Sequence, residues 1–368
     1  MTDRRAADAP AIADRPAYRI AGSGPVSLAC ALFLVRKGVP AQAVSLQPAP
    51  DALPAALAAR PLAIAHGSRQ LLDRVITFPE CGTIRRVEVS MRGHAGRTRI
   101  AASDLAAPAL GYVVRYGTLT AALRDAVAAH AWSPPGEDAA LTIHAEGDPG
   151  PHAEVREFDQ CALVGEVSTP QAAPATAGTA FERFTASGPL ALLPLPGTRR
   201  MAMVWCDTAQ RCEARCVADV QALSSELRER FGPALGPLNV EGALSVVPLA
   251  RRMRMRIDAP GEVWIGNAAQ ALHPVAGQGL NLGLRDAFEL AGALATARRR
   301  GAPIGEALDA HRRARSPDRR LTVALTDLMA DSFTWPLARP LQSPMLAALD
   351  LLPGLRRPLA SQLMFGWR

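Results

Sequence analysis

The stretch Gly22-Ser23-Gly24-Pro25-Val26-Ser27 has the residue types and spacing to hold an anion. It follows a short β-like run, Tyr18-Arg19-Ile20-Ala21, and opens a helical pattern over residues 26–37 that Gly38 and Pro40 end. That context makes it a GxGxx(G) fingerprint with serine in the third glycine place. Gly22 permits the tight turn, and Gly24 lets the backbone come close to a pyrophosphate. The helix N-terminus then offers free N–H groups and the positive end of its dipole. Ser27 is small enough for the place where helix meets strand. Such sites usually carry an acidic residue about 20 residues further on, for ribose hydroxyls. Gln47 stands there, so a charge-assisted bond worth roughly 1–2 kcal/mol is absent.

A second run lies far along the chain, Ile265-Gly266-Asn267 through His273-Pro274-Val275-Ala276-Gly277-Gln278-Gly279-Leu280-Asn281 to Asp286. A strand ending at Gly266 puts Asn267 within reach of a polyol chain. Gly277 and Gly279 carry no side chain, so a flat ring can lie against this backbone. The helix beginning near Asn281 points its N-terminus at that ring and would stabilise negative charge there. His273 has the form of a catalytic base, but beside Pro274 its expected role is to shape the turn. Asp286 is expected to support the helix start.

The elements that must position these turns follow from periodicity. Ala43-Val44-Ser45-Leu46 completes a βαβ opening, the unit of a parallel sheet. Residues 84–100 and 160–206 hold short β-like runs separated by Gly- and Pro-rich turns, which predicts a mostly antiparallel sheet of its own. Residues 217–231 read as a helix. Parallel-sheet character returns at Val263-Trp264-Ile265, and a long helix is predicted from Asn281 to Arg300. Helical segments broken by Pro336, Pro340, Pro344 and Pro353 close the chain.

Composition narrows the function. The 368 residues suffice for two domains and a large core. The net charge of +7 invites a nucleic-acid reading, but only Lys37 of 41 basic residues is lysine, and the Arg-rich stretches at 251–256 and 312–320 lack interleaved aromatics. They read as solvated faces with a mild attraction to anionic lipid. The six cysteines, at 30, 81, 161, 206, 212 and 216, form no CxxC pair, so buried thiols in a reducing compartment are expected rather than a zinc site. No uncharged apolar run reaches the roughly 20 residues that span a bilayer. A cytoplasmic protein with no signal peptide is expected.

The fourteen residues from His273 to Asp286 fit the signature of the UbiH/UbiF/VisC group of ubiquinone-biosynthesis ring hydroxylases. The chain therefore resembles the class A flavoprotein monooxygenases, whose type fold is that of para-hydroxybenzoate hydroxylase. Gly22 to Leu32 looks like that family's FAD fingerprint. Arg60-Pro61-Leu62-Ala63-Ile64 and Gly111 to Leu119 resemble its two segments with FAD-contacting arginines, here Arg60 and Arg115. Ala145-Glu146-Gly147 takes the place of its Asp-Gly motif, and Glu182-Arg183-Phe184 through Pro194 resembles its substrate-domain strands. The departures are Ser27 for glycine, Gln47 for an acid, Asn267 and Glu146 where Asp is usual, and a short connection over 121–144.

The resemblance implies an α/β fold: a Rossmann-like FAD-binding domain with an inserted β-rich substrate domain and C-terminal helices. The expected divisions are a disordered leader at 1–16, a discontinuous FAD-binding domain at 17–83, 107–160 and 248–320, a substrate domain at 84–106 and 161–247, and a helical region at 321–368. The cofactor residues implied are Gly22, Gly24, Pro25, Ser27, Gln47, Arg60, Arg115, Asn267, Pro274, Gly277, Gln278, Gly279, Leu280 and Asn281, with His273 and Pro274 lining the flavin loop. FAD would lie extended, its pyrophosphate at the helix after Gly24 and its isoalloxazine against Gly277 to Leu280. NAD(P)H would reduce it, and a C4a-hydroperoxide would hydroxylate a phenol ring. The substrate stays open between a polyprenylated phenol of ubiquinone biosynthesis and a soluble aromatic. A flavin-poor scaffold in a biosynthetic complex is the third reading. Arg356, Arg357 and Arg368 near apolar residues favour a membrane-borne substrate and peripheral association with the inner membrane face. No metal and no nucleic-acid partner is implied.

Overall fold

The computed structural model describes residues 17–93, 96–136, 138–169, 177–197, 199–232, 235–273, 277–334, 344, 348 and 350–366. The expected leader at 1–16 and Pro274 lie outside them.

The chain opens as a βαβ unit. β1 (Tyr18–Ala21) leads through a glycine turn into α1 (Pro25–Arg36) and then β2 (Val44–Leu46), which pairs parallel with β1. β8 (Leu141–His144) pairs parallel on the other side of β1, and β15 (Glu262–Trp264) pairs parallel with β8. With β14 (Asp258–Ala259) these make a five-stranded sheet in the order β14-β15-β8-β1-β2. α1 is apolar nearly all round, from Leu28 to Leu34, and is buried accordingly. It packs against α4 (Tyr116–Ala128) and α7 (Gly279–Arg300), where Phe33 meets Phe288 edge-on at 5.4 Å.

The chain order of α7 beside α1 requires a close approach. A β-carbon on Gly283 would lie 2.9 Å from both the Cα of Gly266 and a methyl of Val26 on α1, so glycine is needed at 283. Asp286, in the second turn of α7, accepts from the Gly266 N–H at 3.3 Å and the Gln270 amide at 3.0 Å. It also pairs with Arg315 at 2.8 Å on α8 (Ile304–Thr334), and Arg315 and Arg285 share Asp318 at 2.6 and 2.8 Å. All four side chains are buried. Asp286 thus anchors the start of α7 to the strand end before it, and it does not line the cavity described below.

The second sheet has eight strands in the order β16-β13-β9-β12-β11-β10-β5-β6. In chain order these are β5 (Arg86–Met91), β6 (Arg97–Ala101), β9 (Glu154–Ser168), β10 (Thr179–Thr185), β11 (Gly188–Pro194), β12 (Arg200–Thr208), β13 (Asn239–Met253) and β16 (Gln270–Ala271). Every neighbouring pair is antiparallel except β10 with β5. One face of it buries Trp205, Met203, Leu163 and Leu192 against Leu223, Leu227 and Phe231 of α6 (Val220–Phe231), with α5 (Ala209–Cys216) beside them. β9 and β13 are 15 residues each and cross positions 160/161 and 247/248, where a division between domains was expected. Both strands belong wholly to the eight-stranded sheet, so these positions fall inside it. A third sheet has the order β3 (Pro61–Ala65), β7 (Gly111–Arg115), β4 (Gly82–Ile84); β4 contacts β11 and β3 contacts α7. The C-terminal helix Pro353–Phe365 packs on α3 (His66–Leu72) and β3. Among the described residues no helix is long and apolar enough to cross a membrane.

Candidate active site

One cavity of about 1280 Å³ joins the two glycine turns, which lie more than 240 positions apart in sequence. Single small-molecule pockets run roughly 300–1,000 Å³, so the space suits two ligands or one long one.

Gly22, Ser23, Gly24, Pro25 and Val26 line one end. Gly22 adopts φ +104°, and a β-carbon there would sit 2.6 Å from the carbonyl oxygen of Ala145. Only glycine permits this turn beside β8. α1 begins at Gly24 with no side-chain cap and no acidic residue in its first turn. Its main-chain N–H groups and positive dipole end are left to a ligand. Ser27 does not line the cavity. It is buried, and its hydroxyl donates to the Gly24 carbonyl at 2.9 Å, bracing the turn from behind. Gln47 lines the cavity, and its amide oxygen accepts from the Gly22 N–H at 2.7 Å. The NH2 of that amide is then what Gln47 can offer, a donor rather than the acceptor an acid would be.

The other end is built by Asn267, Leu272, His273 and Gly277 to Asn281. α7 also starts without a side-chain cap or an acid in its first turn. Asn281 is a staple. Its amide nitrogen donates to the carbonyls of Ala63 at 2.9 Å and Gly277 at 2.8 Å, and its oxygen accepts from the Ala65 N–H at 2.8 Å. Gln278 donates to the Leu363 carbonyl at 3.2 Å and so ties the loop to the C-terminal helix. His273 is buried edge-on to Phe158 at 5.0 Å, and burial pushes its pKa down to about 4. The ring is therefore neutral at pH 7.

Arg60 lines the cavity between the two ends, next to Pro61 to Ala65. The structure does not bring Arg115 to this wall. Its guanidinium pairs with Glu166 on β9 at 2.6 Å, a link between the third sheet and the eight-stranded sheet. Glu146 lines the cavity and pairs with His144 at 2.8 Å. Burial pushes its carboxyl up, but the hydrogen bond and charge of His144 outweigh that and hold it below the ordinary value.

The middle of the cavity is apolar. Val87, Ala180, Ala191, Leu193 and Val204 come from the eight-stranded sheet, and Leu325, Met329, Leu359 and Leu363 come from α8 and the C-terminal helix. Met364 packs in an apolar cluster with Leu110, Val113 and Leu195 and also lines this wall. β10 mixes polar and apolar residues and β11 is apolar throughout, so which face meets a cavity is not encoded locally. Glu182 is the one carboxylate among these sheet residues, and the sequence around it shows only that it belongs to a strand. Among the described residues no cluster of three or more His, Cys, Asp or Glu could hold a metal ion.

Two uncapped helix ends, a glycine cradle a β-carbon would fill, and an apolar chamber fit a ligand with an anionic middle and a flat ring. Comparisons with known proteins agree. A model of the FAD binding domain matches residues 143–325. The chain is 36% identical over 159 residues to the ubiquinone hydroxylase UbiL of Rhodospirillum rubrum, covering 43% of this chain and 37% of that one. It is 28% identical over 320 residues to the 3-demethoxyubiquinol 3-hydroxylase of Escherichia coli, covering 77% and 80%. It spans less than half the length of the curated relatives it matches at 35–36% identity. Its fold superposes on the crystal structure of p-nitrophenol 4-monooxygenase PnpA of Pseudomonas putida with a TM-score of 0.73 at 15% identity, over 96% of this chain and 99% of that one. The α/β architecture expected from the sequence is thus the observed one.

Proposed function

Because this chain is a relative of the ubiquinone-biosynthesis FAD-dependent ring hydroxylases, we propose that it is an FAD-dependent aromatic-ring monooxygenase. The observation that carries this reading is the single cavity that runs from the glycine turn before α1, past the N-terminus of α7, to the apolar face of the eight-stranded sheet. When bound, FAD would supply the redox chemistry, drawing two electrons from NAD(P)H so that one oxygen atom of O2 enters an electron-rich ring and the other leaves as water. The protein's own residues do the rest. The first turn of α1 binds the diphosphate anion through main-chain N–H groups. The NH2 of Gln47 would be free to donate to a ribose hydroxyl while its oxygen holds Gly22. Asn281 fixes the loop from Gly277 to Leu280 against β3, so that the N-terminus of α7 meets negative charge on the ring without reorganising. Leu193, Val204, Leu325 and Met329 keep water from the reacting centre.

The substrate we propose is a prenylated phenol. The apolar wall supports this, as do Leu328, which lines the cavity at 64% exposure, and Leu351 and Leu352, which stand exposed before the C-terminal helix. Such leucines suit a substrate drawn from a lipid surface at the membrane's inner face. The division of labour follows: a cofactor half built on the five-stranded sheet and a substrate half on the eight-stranded sheet. The test is a visible spectrum of the purified protein, before and after FAD addition, followed by oxygen uptake with NAD(P)H and a prenylated phenol. Flavin bands near one per chain and uptake that depends on the phenol are expected. A chain that takes up no flavin after reconstitution would be a scaffold, and the reading would fall.

A further inference from the structure

The cavity-facing side of the eight-stranded sheet can be traced residue by residue. On β10 it is Ala180, Glu182 and Phe184, and the register sets these beside Leu193, Ala191 and Pro189 of β11. On the other side, Ala180 and Glu182 neighbour Val87 and Val89 of β5. Ala191 neighbours Val204 of β12, and Val204 neighbours Val164 of β9. In this patch one residue carries a carboxyl. Glu182 sits at its centre with Ala191 and Val89 as lateral neighbours, and the small Ala191 leaves room over it.

Nothing in the fold explains this carboxyl. Among the described residues Glu182 has no hydrogen-bond or ion-pair partner, while the next residue, Arg183, points to the opposite face and donates to Ser90 at 3.2 Å. Glu182 is half-buried on the cavity wall, and a purely structural sheet would carry Val or Leu at such a place. The wall faces the chamber that the reading above assigns to the substrate. A lone acceptor in a greasy pocket is what fixes the orientation of an otherwise apolar ligand.

We propose that Glu182 is the specificity-determining residue of this cavity, the group that takes the hydroxyl of a phenol whose remaining surface is apolar. The inference rests on the monooxygenase reading but concerns a different question, namely which end of the substrate is held and by what. With no charged neighbour, burial pushes its carboxyl up to about 8, so at neutral pH it is largely protonated and can both donate to and accept from a hydroxyl. The other titratable groups on the cavity wall are Cys206, on β12 with β11 between it and Glu182, and Arg60, Tyr116, Glu146 and His273 at the cofactor end.

The experiment measures binding of 4-octylphenol and of its methyl ether, 4-octylanisole, to the FAD-loaded full chain in three forms: wild type, Glu182→Gln and Glu182→Leu. Flavin content and melting temperature establish that each form is folded. Wild type should prefer the phenol by roughly 5- to 30-fold, the worth of about 1–2 kcal/mol of hydrogen bonding. Glu182→Leu should bind the two alike, with ether affinity kept or improved. Glu182→Gln should keep most of the preference, and should lose the change in phenol affinity that wild type shows between pH 7 and 9. If Glu182→Leu discriminates as wild type does, the assignment is overturned while the monooxygenase reading stands. If Glu182→Leu does not fold, an unchanged pH profile in Glu182→Gln overturns it instead. If wild type binds neither probe, the assignment falls together with the reading of this chamber as an aromatic site.

Discussion

The two ends of the cavity are built on opposite plans. The cofactor end is made of main chain: the turn at Gly22, the uncapped starts of α1 and α7, and loops clamped by Gln47 and Asn281. The far end is made of side chains that project from six or more separated strands and two helices. A main-chain site has little room for change, because any β-carbon fills it. A side-chain wall can be recut one residue at a time, since volume-conserving apolar exchanges cost less than about 1.5 kcal/mol. The comparison suggests a fixed cofactor cradle and an adjustable substrate chamber.

Damage at the cradle should therefore exceed damage at the wall. The largest effect is expected for Asp286→Ala, which leaves Arg315 buried without one of its two carboxylates and frees the Gly266 strand end. Removal of one partner from a buried pair costs roughly 3–5 kcal/mol, and denaturant unfolding should show it, with flavin lost in parallel. Gly22→Ala comes next. It combines a left-handed φ with a clash on Ala145 and should cost roughly 2–3 kcal/mol. Thermal denaturation reads the loss, and a matching exchange on the wall, Leu193→Met, should lose far less.

The wall's carboxyl supplies the third prediction. Unfolded, Glu182 ionises near the ordinary 4.5; folded, near 8. Between these values the native state binds more protons than the unfolded chain, so stability falls as pH rises from about 4.5 to 8 and is level above that. Glu182→Gln removes this component. Its melting temperature should equal that of wild type near pH 4 and exceed it by a few degrees near pH 8. Equal melting temperatures at both pH values would mean that the carboxyl ionises normally and that the chamber is wetter than its lining suggests.

The smallest effect is expected at Gln47. In Gln47→Glu one carboxylate oxygen can keep the Gly22 N–H and the other can accept from a ribose hydroxyl, now with charge assistance. FAD should bind roughly 5- to 30-fold tighter, as expected for about 1–2 kcal/mol, with turnover at saturating FAD nearly unchanged. An unchanged Kd in a flavin titration would mean that Gln47 serves the turn alone.

The cradle was legible in the residues because its cause is local. A glycine at positive φ, a proline in the first turn and an apolar helix after them restrict the backbone within a few positions, and the βαβ opening and both helix starts follow from that. What only the tertiary structure decided is everything that depends on which face meets which. It joins Gly24 to Gly277 across the chain, turns Arg115 to Glu166 instead of the cavity, and places Ser27 behind the turn. Alternation in a strand says that two faces differ and is silent on which one faces a chamber. Glu182 stands out as a functional candidate only because β10, β11 and β12 set Ala180, Ala191, Leu193 and Val204 around it. The reason is physical: a backbone conformation is set by its near neighbours, whereas the solvation of a carboxyl is set by atoms that the sequence scatters over more than 100 positions.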